Sequence, residues 1–508
     1  MLAATAMGDP PCGIFAQKQK PRAEPHSFFT FPYSMKGLPA AIPARAPSLP
    51  DSRGGCMRPT RWSLLWPAGE IKPFQGASHP TVLRAAALQA EVLRIDCRQH
   101  FLRGFSQVIG FKERLALYTL LTALTSLSID ALLPALRDIG ADVGVVPPLS
   151  TQHVISLFIF GMAFGELLLG PLSDAIGRKK ALVLGIGIYV TGTLISMLAG
   201  SLEIVILGRF LQGVGVAGPK IATRAMIRDQ FEGDAMARVM SFMFTLFILV
   251  PMLAPALTQG LISLAGWRSV FVVYFAVSIG LGIWLVTRHP ETLPVSNRIR
   301  LRPRLLFRNA LRIISSRRVS LLIVSTGLIF GAQLLYISTA PDLFFDAYQI
   351  ERAFPLYFAG LATAMGLASF LNARLVQRFG MRAMVRAGLT GLTGLSLIMM
   401  IASLIDAGDL HLLVLLALLF GAFFAIGILF GNLNALAMQT LGQTAGLGAS
   451  LIASGSSAIA TVFAVGTGSL YDGNAMYLAF GFLLASISAL LLTEAAMRGD
   501  EAPIEAAR

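Results

Sequence analysis

The chain has 508 residues, of which 55% are hydrophobic and only 13% charged, and its mean hydropathy is +0.69. Soluble domains carry about 25% charged residues, so this composition excludes the soluble enzyme and soluble binding classes and points to a polytopic membrane protein. The net charge of +14 does not indicate nucleic-acid binding, because the Lys and Arg residues lie in an N-terminal extension and in alternate loops between apolar runs, where membrane topology places them.

Residues 1–111 are rich in Pro, Ser, Gly, Ala and Arg and contain neither a spanning apolar run nor a signal-peptide pattern, so disorder is expected there. Within them, Leu88, Val92, Ile95 and Leu102 recur at helical spacing beside Arg84, Glu91, Arg94 and Arg98, which suits a basic amphipathic helix on the inner leaflet. Cys12, Cys56 and Cys97 fall in the same stretch and show neither metal-ligand nor disulfide-framework spacing.

Six apolar stretches follow, over 115–136, 149–171, 181–200, 202–226, 238–262 and 267–288. After a polar segment, 289–318, come six more: 319–341, 354–377, 382–405, 410–434, 444–469 and 475–494. Each runs roughly 20 residues, enough at 1.5 Å per residue to cross about 30 Å of hydrocarbon. The expected fold is an all-α membrane protein with twelve transmembrane helices in two six-helix halves. The halves are 112–288 and 319–494, with a cytoplasmic linker at 289–318 and a cytoplasmic tail at 495–508.

Loop charge orients this bundle. Arg178, Lys179 and Lys180 follow the second stretch, Arg228 and Arg238 the fourth, and Arg378 and Arg382 the eighth. The central segment holds Arg298, Arg300, Arg302, Arg304, Arg308, Arg312, Arg317 and Arg318. The opposite loops offer little more than Arg137, Arg268 and Arg352. Both termini are therefore predicted to be cytoplasmic.

The second and third stretches are joined by GPLSDAIGRKK, residues 170–180. Gly170 permits close helix approach, Pro171 sits near a helix end, and Gly177 supplies a bend that tolerates no Cβ. Asp174 faces Arg178, Lys179 and Lys180, as in a salt-bridged hinge. NARLVQRFGMRAMVR, residues 372–386, holds the corresponding place in the second half without the acidic residue.

Charged groups within hydrocarbon cost about 2.5–3.5 kcal/mol each on insertion scales, so each needs a reason. Asp130 and Arg209 lie at matching depth, about 9 and 10 Å from the outer ends of the first and fourth stretches. An ion pair that opens on Asp130 protonation would couple protons to substrate movement. The bland alternative is a static pair that fixes helix packing. Glu166 and Lys220 could pair, but a snorkelling Lys220 is the favoured reading. In the second half Gln333, Tyr336, Asn432 and Asn434 either orient a substrate or bond neighbouring helices to one another. No Walker loop, zinc-binding histidine pair or Ser/His/Asp context is present, so an enzyme is not expected and the driving force is an ion gradient.

Several of these stretches resemble one family. GPLSDAIGRKK is similar to the loop 2–3 signature of the major facilitator superfamily of secondary transporters, where that loop is cytoplasmic and helps latch the two halves. LTSLSIDALLPAL, residues 124–136, resembles the first span of Bcr/CflA-type multidrug efflux proteins, with Asp130 four positions before Pro134. GRFLQGVGVAGPKIATRAMIRDQFEG, residues 208–233, resembles their fourth span, with Arg209, Gln212 and Gly213 as its R-x-x-Q-G signature. LVPMLAPALTQG, residues 249–260, is similar to the antiporter motif through Pro251 and Pro255, though Leu249 and Met252 replace expected glycines. GWRSVF, residues 266–271, follows as in the subfamily, and Trp267 and Arg268 read as an aromatic-belt anchor.

The resemblance covers about 112–494. It implies drug:proton antiport across a bacterial inner membrane, with Arg209 and Asp130 in proton coupling, the first, fourth, seventh and tenth spans lining the cavity, and loop residues Gly170, Asp174, Gly177, Arg178 and Lys179 in gating. It further implies a drug-like substrate, no cofactor beyond the proton gradient, a monomer, and a chain that begins just before the first span. The alternatives are an importer or exporter of a small metabolite on the same fold, and a non-transporting membrane sensor that uses residues 1–110 as its output.

Overall fold

In hydrocarbon every backbone N–H and C=O must be satisfied within the chain, so each long apolar stretch folds as a helix. The computed structural model describes residues 110–231, 233–406, 408, 410–441, 445–471 and 473–498. The expectations for the N-terminal extension, its amphipathic segment and its cysteines lie outside these residues.

The first half holds α1 (Phe111–Asp130), a short α2 (Leu136–Val143), α3 (Gln152–Ile176), α4 (Arg178–Met197), α5 (Leu202–Gln230), α6 (Gly233–Ala265) and α7 (Arg268–Arg288). The linker contains α8 (Pro303–Ser315). The second half holds α9 (Arg317–Asp342), α10 (Phe354–Phe379), α11 (Met381–Ile405), α12 (Leu412–Met438), α13 (Ala445–Gly468) and α14 (Ala475–Met497). Eleven helical segments among the described residues are long and apolar enough to cross a membrane, counting α1 and α2 as one. The twelfth, α6, is a 33-residue helix that continues through Pro251 and Pro255. The twelve-helix expectation stands.

The first span departs from the expected continuous helix. Pro134 has no N–H to give the Asp130 carbonyl, so α1 ends at Asp130 and a short turn over Leu133–Ala135 leads into α2. The linker also differs from a featureless polar segment, because α8 lies within it. Before α8, the linker belongs to the first half: Ile299 N–H donates to the Asp174 carbonyl at 3.1 Å, and Glu291 bonds the start of α4. From α8 onward it belongs to the second half, since α8 packs on α9 and α13.

The halves meet through α3 against α13 and α6 against α10. Close approach at the basic end is set by Gly170, where any Cβ would collide with Ser450 Oγ. At the opposite end Arg137 reaches Glu351 at 3.2 Å and Asp346 at 3.5 Å, and Gln152 Nε2 donates to Asp342 at 3.4 Å.

Candidate transport site

Where α1 stops, its last-turn carbonyls lose their intrahelical donors. Arg209 on α5 supplies one: its Nη2 donates to the Ser128 carbonyl at 2.8 Å, and its charge lies at the negative end of the α1 dipole. The rest of the guanidinium donates to the Val154 carbonyl at 3.2 Å and Gln212 Oε1 at 2.8 Å, with the Phe158 ring 4.2 Å away. Gln212 then donates to Thr193 Oγ1 at 2.7 Å, and Tyr189 and Ser128 hydroxyls meet at 2.7 Å. Tyr274 on α7 donates to the Leu127 carbonyl at 3.1 Å. Arg209, Gln212 and their partners thus tie five helices of the first half together, and both residues are fully buried.

Asp130 does not join this network. It is the last residue of α1, is 6% exposed, and has no hydrogen bond or ion pair among the described residues. The expected Asp130–Arg209 pair is therefore not formed, because backbone carbonyls and Gln212 already occupy the guanidinium.

The second buried acid behaves in the opposite way. Glu166 on α3 is fully buried, and its Oε1 lies 2.5 Å from Lys220 Nζ on α5, so Lys220 does not snorkel. Its other oxygen accepts from Ser457 on α13 at 3.3 Å, across the junction of the halves. One turn further along the same junction, Thr461 donates to the Ser156 carbonyl at 3.3 Å. A buried carboxylate with one fixed counter-charge and one bond to the other half is sensitive to any separation of α3 from α13.

At the basic end the loop motif forms a compact charged cluster. Gly177 adopts φ +106°, and a Cβ there would run into the Glu291 carboxylate. Arg178, 5% exposed, bridges Asp174 and Asp229 and donates to Ser173 at 2.9 Å. Glu291 accepts from the Arg178 N–H at 2.9 Å, capping α4, while Lys179 Nζ donates to the Val286 and His289 carbonyls at 2.9 and 2.7 Å, capping α7. Among the described residues, the ion pairs of this cluster lie within the first half. On the side of the second half, Gly170 packs on Ser450 and Asp174 lies beside Gly446.

The second-half candidates divide. Asn432 donates to Asn372 at 2.7 Å and to the Ile428 carbonyl, which joins α12 to α10. Asn434 bonds its own helix at the Phe430 carbonyl. Among the described residues, half-buried Gln333 bonds only the Met365 sulfur, at 3.5 Å. Tyr336 is buried between Phe358 and Phe423, and its hydroxyl has no partner among the described residues. Trp267 is 5% exposed and donates to Asp142 at 3.2 Å, while Arg268 pairs with the same carboxylate at 2.5 Å. These two fasten α7 to α2, and a belt at the lipid surface does not describe a ring so buried. Asp229, Glu291 and Ser457 were invisible to sequence reasoning, since each meets its partner from a distant stretch of chain.

A profile described as Major Facilitator Superfamily matches residues 118–467. A bicyclomycin resistance protein homolog from Haemophilus influenzae is 28% identical over 339 residues, covering 66% of this chain and 83% of that protein. The multidrug resistance protein MdtL of Salmonella typhimurium is 30% identical over 228 residues, covering 44% of this chain and 56% of the relative. The xylose transporter XylE from E. coli, in a partially occluded inward-open conformation, shares the fold with a TM-score of 0.58 at 13% identity, over 76% of this chain and 96% of its own. Twelve helices in two halves, the Arg209–Gln212 network and the capped loop at 170–180 accord with that match: the chain is a multi-pass membrane transporter, not an enzyme, and belongs to the Major Facilitator Superfamily.

Proposed function

We propose that this chain exports small drug-like molecules across a bacterial inner membrane in exchange for protons. It works as a monomer with its basic end and both termini in the cytoplasm. The observation that carries this reading is Asp130, a buried carboxyl at a helix break with no partner among the described residues. A carboxyl in such a place is neutralised either by a proton or by a cationic or hydrogen-bonding substrate, and the two then compete for it. The multidrug-resistance relatives support the drug-like substrate class.

In the cycle, Asp130 takes a proton from outside as substrate leaves and releases it inward as the next substrate binds. Arg209 holds the end of α1 in place and contributes its uncompensated charge nearby. The two halves rock about the α3–α13 and α6–α10 contacts. The test is proton release on adding bicyclomycin- or chloramphenicol-like compounds to purified protein in weakly buffered solution. Wild type should release protons and Asp130→Asn should not. Equal release from both proteins would remove Asp130 from the mechanism.

A further inference from the structure

The linker helix α8, PRLLFRNALRIIS, has three faces rather than two. At about 100° per residue, Leu306, Asn309, Ala310 and Ile313 fall together and turn towards α9 and α13, with Ile313 fully buried. Phe307, Leu311 and Ile314 form a second stripe that is 67%, 49% and 51% exposed. Arg304, Arg308 and Arg312 form a third, also exposed. An apolar stripe beside an arginine stripe is the pattern of a helix lying in a membrane interface, its apolar side at the acyl boundary and its guanidinium groups among headgroups.

Position supports the same occupant. Only Ser316 separates α8 from the membrane-crossing α9, so the helix is tethered at the rim of the bundle. We propose that α8 docks on the bilayer surface and that its ligand is anionic phospholipid, whose phosphate groups pair with Arg304, Arg308 and Arg312. The apolar stripe supplies burial and the arginines supply selectivity for negative headgroups. Because α8 packs on α9 and α13, lipid charge then acts on the second half alone.

The experiment places a Phe307→Trp reporter in the full-length protein and reconstitutes it in nanodiscs of phosphatidylcholine alone or mixed with phosphatidylglycerol, subtracting the native tryptophan emission. In phosphatidylglycerol discs the reporter should emit to the blue and be quenched by brominated acyl chains. In phosphatidylcholine discs, or with Arg304, Arg308 and Arg312 changed to Gln, quenching should fall. The docked-to-undocked ratio should drop roughly fivefold for each arginine removed, and high salt should reproduce the loss. A monodisperse gel-filtration profile checks that each variant folds. Equal burial in both lipid mixtures would overturn the anionic-lipid assignment. So would a reporter open to iodide in every disc, including one shielded only when an acidic polypeptide is added.

Discussion

Two cations on α5, fully buried Arg209 and partly buried Lys220, are handled in different ways. Arg209 offers a planar fork of donors, and carbonyls, an amide and an aromatic face take them up without any carboxylate. Lys220, a single ammonium, faces Glu166 directly. Removing one member of a buried pair leaves an uncompensated charge and costs about 3–5 kcal/mol, whereas removing both costs far less. Lys220→Met should therefore lower the melting temperature more than the double change Lys220→Met with Glu166→Gln. Strictly additive effects of Lys220→Met and Glu166→Gln across the two single variants and the double would mean that the two groups do not interact. At this scale the sequence announces which residues are costly in a membrane, as with Asp130, Glu166, Arg209 and Lys220. It does not give their partners, because depth along a helix follows from counting residues while rotation about the axis depends on packing. For that reason Asp130 and Arg209 match in depth yet do not pair, and Glu166 and Lys220 do.

Helix positions were largely legible, since hydropathy over twenty residues reports burial in lipid directly. The exceptions have local causes. Pro134 breaks the first span, and eight arginines across 298–318 mask the thirteen-residue amphipathic α8. The join between α7 and the linker adds a further property of the elements. His289, 1% exposed, bonds the Pro290 carbonyl through Nδ1 at 2.7 Å and meets the Tyr118 hydroxyl of α1 through Nε2 at 2.6 Å. Burial pushes its pKa below the ordinary 6.5, with Lys179 and Arg114 adding to the effect and the Pro290 carbonyl and Glu291 opposing it. The unfolded chain thus binds this proton more readily than the native one. The neutral imidazole's contribution is complete above about pH 6.5 and is lost as pH falls towards the lowered native value. Melting temperatures measured from pH 8 to 5 should fall more steeply in wild type than in His289→Gln. Parallel curves would assign the acid sensitivity to other groups.

For the whole molecule, the contacts that matter are those that must break when the halves rock. One of them is Gly170 against Ser450: a Cβ built at 170 lies 3.2 Å from the Cβ of Ser450, near the about 3.5–4.5 Å of a disulfide. With Cys12, Cys56 and Cys97 replaced by Ser, a Gly170→Cys, Ser450→Cys pair should form a bond on oxidation. Substrate flux in proteoliposomes should then stop and recover with reductant. Full flux in a carrier whose 170–450 link is verified by mass spectrometry would show that this contact stays shut throughout the cycle.

The division of the linker has a practical corollary for anyone wishing to make the transporter from two polypeptides. Residues 289–299 are fastened to the first half through Glu291 and Ile299, and α8 is fastened to the second. A cut at 289 would strip one fragment of the group that caps α4, and a cut at 316 would strand α8 on the wrong piece. The seam at 300–302 leaves each fragment with its own fastenings, and co-expressed halves severed there are the pair best suited to reassemble.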